Sequence, residues 1–170
     1  MILLRDEDVF DSLLEEYGES VKRLIFLYVR DKAITDDLTQ EVFIKVFSHM
    51  NTFEHNSSYK TWIYRIAINQ CKDYFRSWTY RKIIFNPFIE KTNDNTPEQI
   101  LIREDEKSLL TQAILSLPIK YREIIILFYY NELKMKEISN ILQVNESTVK
   151  TRISRARNLL KKKLGGVYLE

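Results

Sequence analysis

The chain has 170 residues, 45% of them hydrophobic, enough for one ordinary domain or two small ones with a buried core. Only 3 Gly and 3 Pro, set among runs of Leu, Ile, Lys and Glu, favour an all-α protein. The single cysteine, Cys71, excludes an internal disulfide, and with only His49 and His55 beside it no four-ligand Cys/His zinc set can be assembled.

Apolar residues at helical spacing, from Phe10, Leu13, Leu14 and Tyr17 through Val21, Leu24, Ile25 and Tyr28, predict a first helix over about residues 7–30. Thr35 or Asp36 can cap a second helix, whose stripe is Leu38, Val42 and Val46 with Phe43 and Phe47 beside it. Asn51 to Ser58 is polar and reads as a loop. A third helix carries Ile63, Ile66, Ala67, Tyr74 and Trp78 on one broad face. Periodicity then fails, and residues 85–96 read as a linker. Thr96-Pro97-Glu98 is a helix start: a cap, a proline at the first position, then an acid that suits the dipole. Helices are predicted near 97–116, 119–131, 134–142 and 146–163. The expected architecture is therefore two small helical domains, 1–84 and 97–170, joined by a flexible linker.

The last two helices form a helix-turn-helix. Met135, Ile138, Ile141 and Leu142 give a short buried face, Gln143-Val144-Asn145 a brief connection, and Asn145 a cap. Val149, Ile153, Ala156 and Leu160 then face inward. The opposite side presents Ser147, Lys150, Thr151, Ser154 and Asn158, flanked by Arg152, Arg155 and Arg157, a pattern that fits a major groove. A basic amphipathic helix on some other surface would share this composition, but not the short preceding helix and tight turn. Ser139 stands where a small residue is usual, and Gln143 where a turn glycine is usual, which predicts a positive φ at modest cost.

Charge is uneven along the chain. Residues 1–50 hold 6 Lys/Arg against 11 Asp/Glu, 51–84 hold 6 against 2, 85–131 hold 5 against 7, and 132–163 hold 9 against 3. Two basic blocks separated by acidic ones predict two contacts with nucleic acid and another surface facing something basic. The first basic block interleaves Phe53, Tyr59, Trp62, Tyr64, Tyr74, Phe75, Trp78 and Tyr80 with Lys60, Arg65, Lys72, Arg76, Arg81 and Lys82. Cations hold a phosphate backbone, and aromatic faces hold unstacked bases. Tyr74 and Trp78 fit the core stripe, whereas the loop residues Phe53, His55 and Asn56 are better placed to meet an extruded base.

Four collinear segments carry a resemblance. They are Asp37-Leu38-Thr39-Gln40-Glu41-Val42-Phe43; Tyr59 to Asn69; Leu117-Pro118 with Tyr121-Arg122-Glu123; and Asn145 to Arg157. Together they resemble the extracytoplasmic-function sigma factors, the small bacterial sigma factors that keep only the second and fourth conserved domains. The resemblance implies a specificity subunit that joins core RNA polymerase and directs promoter-specific initiation. Asp36, Asp37, Gln40, Glu41 and Phe43 would dock on the clamp helices of the largest subunit. Phe53, His55, Asn56, Ser58, Lys60, Trp62, Arg65, Asn69, Lys72 and Arg76 would capture the melted −10 strand. Glu146, Ser147, Thr148, Lys150, Thr151, Arg152, Ser154, Arg155 and Arg157 would read −35 duplex. It also implies an anti-sigma factor as a partner. The alternative is a helix-turn-helix regulator that works without polymerase, though such a regulator needs neither the central block nor the acidic second helix.

No nucleophile-and-base set, metal site or phosphate-binding glycine loop is visible, so neither enzymatic activity nor a cofactor is expected. No secretory signal is visible, and the longest apolar run, Ile124 to Tyr130, is far short of the ~20 residues that span a bilayer. A soluble cytoplasmic protein without membrane insertion is expected.

Overall fold

The computed structural model describes residues 2–77 and 108–165, and every regular element among them is helical. The first group comprises α1 (Ile2–Val29), α2 (Lys32–His49), a short 3-10 turn at Met50–Thr52, and α3 (Tyr59–Arg76). The second comprises α4 (Leu109–Leu115), α5 (Ile119–Ile125) running into a widened turn at Ile126–Tyr130, α6 (Met135–Leu142) and α7 (Glu146–Lys163). The linker assigned to 85–96, the helix start at Thr96-Pro97, and Trp78, Tyr80, Arg81 and Lys82 lie outside the described residues.

Leu13, Val21, Leu24, Ile25 and Tyr28 of α1 are buried as the periodicity predicts, whereas Leu14 is exposed. The cap of α2 is Asp31, one turn before the expected Thr35 or Asp36. Asp31 is extended (φ −137°, ψ 128°) and its carboxylate accepts the Ile34 N–H at 3.0 Å. The turn comes early because Arg30 takes a left-handed conformation (φ 57°) and so ends α1 abruptly. Thr35 is instead buried, its hydroxyl donating to the Asp31 carbonyl at 2.6 Å. Ser58 caps α3, its hydroxyl oxygen accepting the Thr61 N–H at 3.1 Å.

Two differences appear in the second group. The helix expected over 97–116 has a start inside that range, because Ser108 is extended (φ −66°, ψ 136°) and accepts the Thr111 N–H at 3.0 Å. The helix expected over 119–131 is regular only to Ile125. Beyond it the Asn131 N–H reaches back five residues to the Ile126 carbonyl at 3.0 Å, a π-type turn.

Both groups contribute to one continuous apolar cluster. It joins Leu24, Ile25, Tyr28, Ile68 and Cys71 to Ile124, Leu127, Ile138 and Ile141. A smaller cluster, of Ile114, Leu117, Ile125, Ala156 and Leu160, holds α4 and α7 to α5. Each buried Leu or Ile is worth about 1.5–3 kcal/mol, so the shared cluster couples the two groups energetically. α3 packs along α6, and α1 meets α5.

Cys71 is completely buried in this shared cluster, and its thiol is pushed up to about 12, first by burial and then by the charge of Glu123. The thiolate is the reactive form. Alkylation of the native protein at pH 8 is therefore expected to run at least about a hundredfold slower than after denaturation, where the thiol titrates near ~8.5. Equal rates in a timed iodoacetamide assay would contradict this placement.

Candidate nucleic-acid interface

The helix-turn-helix is held by its backbone as much as by its apolar face. At the start of α6 the Lys134 N–H donates to the Glu137 carboxylate at 2.8 Å. At its end Gln143 takes the left-handed conformation (φ 55°, ψ 45°) in place of the usual glycine. The Ser139 hydroxyl donates to the Val144 carbonyl at 2.5 Å and ties the turn to the helix. Asn145 stands at the cap position of α7 with extended backbone, but its side chain makes no capping bond. Val149, Ile153, Ala156 and Leu160 are buried, which turns the opposite face of α7 outward.

On that outward face Glu146, Ser147, Lys150, Thr151, Ser154, Arg155 and Arg157 are exposed, and Thr148 is half-buried. Ser147, Thr148, Thr151, Arg152 and Arg155 line a cleft of about 400 Å³ together with Lys120 and Tyr121 of α5. The last two escaped the sequence reading, since helical spacing within α7 says nothing of which neighbouring helix stands beside it. The Lys120 ammonium lies 5.0 Å from the centre of the Tyr121 ring. Two of the arginines have protein partners. Arg157 donates to the Tyr129 hydroxyl, and Arg152 sits 3.6 Å from Glu123 with its side chain 26% exposed. Arg152 is thus partly withdrawn from the outward face.

In the first group the loop residues gather into a stack. The Phe53 ring lies 4.8 Å from Tyr59, 4.7 Å from Trp62 and 4.6 Å from His55, so one ring centres an aromatic platform. His55 has a positive φ (53°), which lets the loop turn back over Phe53. Asn56 is exposed, its amide donating to Glu54 at 2.9 Å. The Ser58 hydroxyl is engaged in capping α3. Along α3, Asn69 and Arg76 are exposed, Lys72 and Arg65 are half-buried, and the Arg65 Nε has no acceptor. The Lys60 ammonium donates to the Asn131 carbonyl of the second group at 2.8 Å.

On α2, Asp37, Gln40 and Glu41 are exposed. Asp36 pairs with Lys22 at 3.0 Å, and Glu41 accepts from the Gln70 amide. Phe43 is only 5% exposed, its ring 6.3 Å from that of Phe10. The apolar side chains that α2 presents to solvent are Ile44, 64% exposed, and Phe47, 45% exposed. Phe43 was assigned to the docking face from its place in the Asp37–Phe43 segment, but its side chain supports that face from beneath.

Glu123 stands where the two groups meet. It is 4% exposed, accepts the Tyr28 hydroxyl, and faces Arg152. Burial first, and then the Glu123 charge, pushes the Tyr28 hydroxyl well above its usual range. Its neighbour Arg122 donates to the Leu27 carbonyl at 3.2 Å and the Leu117 carbonyl at 3.1 Å, bridging the end of α1 to α5. Asn131 donates to the Tyr64 hydroxyl at 3.0 Å.

Two profiles of bacterial transcription factors match the chain in the order of these groups: Sigma-70 region 2 over residues 13–79, and Sigma-70 region 4 over residues 107–160. Among similar proteins, the ECF RNA polymerase sigma factor SigW of Bacillus subtilis is 30% identical, covering 94% of this chain and 90% of its own. SigX of the same organism is 33% identical over 92% and 84%, and the ECF sigma-E factor of Escherichia coli 30% over 94% and 88%. The chain belongs to the extracytoplasmic-function sigma factors, non-catalytic factors that act with RNA polymerase in promoter-specific transcription initiation. The same fold occurs in the sigma factor RpoE of Bartonella quintana, solved with the anti-sigma factor NepR (TM-score 0.74, 22% identity, 94% and 98% covered). It occurs also in CnrH, solved with the cytosolic domain of CnrY (TM-score 0.70, 19% identity, 95% and 90% covered). No helix among the described residues is long and apolar enough to cross a membrane.

Tyr28→Phe removes the hydroxyl that Glu123 accepts and leaves a buried carboxylate short of a donor, at a cost of about 1–3 kcal/mol. Calorimetry at pH 7 should show a melting temperature several degrees lower. Since folding raises the Tyr28 pKa, the stability this hydroxyl contributes is fully present below pH 10 and is lost as pH rises beyond that value. Tyr28→Phe should flatten this alkaline loss, and an unchanged alkaline limb would argue against the assigned bond.

Proposed function

We propose that this sigma factor reads a split promoter, α7 entering the major groove of −35 duplex while the Phe53 platform and the cations of α3 trap the melted −10 strand. The observation that carries this reading is the pairing of two unlike basic surfaces on one chain. One is a polar helix face with Lys150, Thr151, Ser154 and Arg155 outward, suited to base edges and phosphates. The other is an aromatic stack at the start of α3, which carries Lys60, Arg65, Asn69, Lys72 and Arg76 along its length, suited to unpaired bases and their backbone. Phe53, His55 and Asn56 hold the extruded base, and its capture offsets a few kcal/mol of unpairing.

Asp36, Asp37, Gln40 and Glu41 dock on the clamp helices of the largest polymerase subunit, with Ile44 and Phe47 as apolar anchors over Phe43. Lys120 and Tyr121, which share the cleft at the start of α7, hold the DNA backbone beside the bases that α7 reads. Arg152 serves chiefly to fix α7 on Glu123. The partner that holds the factor inactive is an anti-sigma factor, in keeping with the two similar structures, both of which are complexes of that kind or with a cytosolic domain. The protein works in the cytoplasm.

Run-off transcription from a promoter library should yield discrete starts with core enzyme plus this chain and none with core alone. A helix-turn-helix regulator that acts without polymerase would instead bind operator DNA and give no such starts. Lys150→Ala and Arg155→Ala are each expected to weaken −35 duplex binding about 5- to 100-fold, and Lys120→Ala to weaken it less while lowering the salt slope by about one. Asn56→Ala should slow open-complex formation with duplex affinity unchanged; equal losses in both steps would refute base capture by this loop.

A further inference from the structure

Gln70 is the only buried amide side chain among the described residues, 9% exposed on the inward stripe of α3 that carries Ile63, Ala67 and Cys71. Spacing favours an apolar residue there, since a buried amide costs stability unless its polar atoms are bonded. Both ends of this amide are bonded, and both partners come from α2. Its Nε2 donates to the Glu41 carboxylate, and its Oε1 accepts from the Lys45 ammonium at 2.5 Å. A carboxylate can only accept and an ammonium can only donate, so the amide has a single orientation. Glu41 and Lys45 stand four residues apart on α2 with the acid first, the order in which a helix favours a direct ion pair. Each instead takes one end of the amide.

We propose that Gln70 is a positioning residue for the polymerase contact: interposed between Glu41 and Lys45, its buried amide stops their direct pairing and holds the Glu41 carboxylate for a cationic side chain of polymerase. This role rests on the docking reading of α2 above and adds the side chain that prepares Glu41. A direct pair would offset the acid with a cation of its own helix. An amide carries no net charge, so Glu41 keeps its negative charge for the partner. It also keeps most of its acceptor capacity, because a carboxylate has about four acceptor positions and Gln70 takes one. Glu41 and Lys45 are exposed, whereas Gln70 is locked by the packing of α3 on α2. The carboxylate is therefore fixed before contact, less rotamer freedom is lost on binding, and the partner's cation has no Lys45 to displace.

Titration of core polymerase with full-length variants tests this. Gln70→Met keeps the length of the side chain, removes the amide and frees Glu41 to pair with Lys45. Polymerase affinity is expected to fall about three- to tenfold. Adding Lys45→Met to that chain removes the competing cation and should restore most of the loss. Its gain there should be at least about threefold larger than in the unaltered chain. In a Glu41→Gln chain, itself weakened, Gln70→Met should change affinity by less than about twofold. Glu41 and Lys45 are exposed, so their substitution spares the core, and Gln70→Leu repeats the cycle if the thioether packs poorly. A residue that served stability alone would lower the melting temperature, cost affinity equally in every background and gain nothing from Lys45→Met. Equal losses with and without Glu41→Gln, or no relief by Lys45→Met, overturn the proposal while the docking reading stands. If Glu41→Gln alone leaves polymerase affinity unchanged, the docking assignment of Glu41 falls and this role falls with it.

Discussion

A carboxylate buried at 4% exposure is stable only if its oxygens are satisfied, and the way Glu123 is satisfied organises the molecule. One donor, the Tyr28 hydroxyl, comes from the far end of α1; the counter-charge, Arg152, comes from α7. A single side chain thereby fixes α7 on its own group and that group on the other. Arg122 extends the same arrangement by donating to the carbonyls that α1 leaves unpaired at its end. The apolar cluster supplies the bulk of the adhesion, but it is non-directional. The polar contacts choose the orientation within it.

This division of labour explains how much could be read from the sequence. Elements whose identity depends on their own periodicity were legible. The inward faces of α6 and α7, the left-handed Gln143, the buried stripes of α1 and α2, and the loop before α3 all follow from local spacing and turn chemistry. What failed was set by the neighbours. Asp31 took over the cap of α2 because Arg30 ended α1 so sharply, and Ser108 opened a helix inside the stretch expected to be helical from Pro97. Arg152 looks like its fellow arginines until Glu123 is placed beside it, and Phe43, set beside the stripe of α2 by spacing and on the docking face by resemblance, proves to be covered, with Phe10 against it.

The candidate sites divide along the same line. Residue types appropriate to DNA could be listed from charge and aromatic content, and the family resemblance ordered them along the chain. Their grouping in space could not be read. Phe53 as the centre of a ring stack, Lys120 and Tyr121 sharing a cleft with Ser147 and Arg155, and the Gln70 amide between Glu41 and Lys45 are all products of tertiary packing.

The widened turn at Ile126–Tyr130 carries a consequence of another kind. A π-type turn amounts to one extra residue inserted into a regular helix, and each residue advances a helix by about 100°. Everything after Tyr130 is therefore rotated by roughly a quarter turn or more relative to where an unbroken α5 would have aimed it. That rotation brings the Asn131 carbonyl onto Lys60 and its amide onto the Tyr64 hydroxyl. The fit is thus keyed by chain length as well as by side-chain chemistry: a one-residue deletion there would turn α6 and α7 out of register with α5 inside their own group and with α3 across the seam.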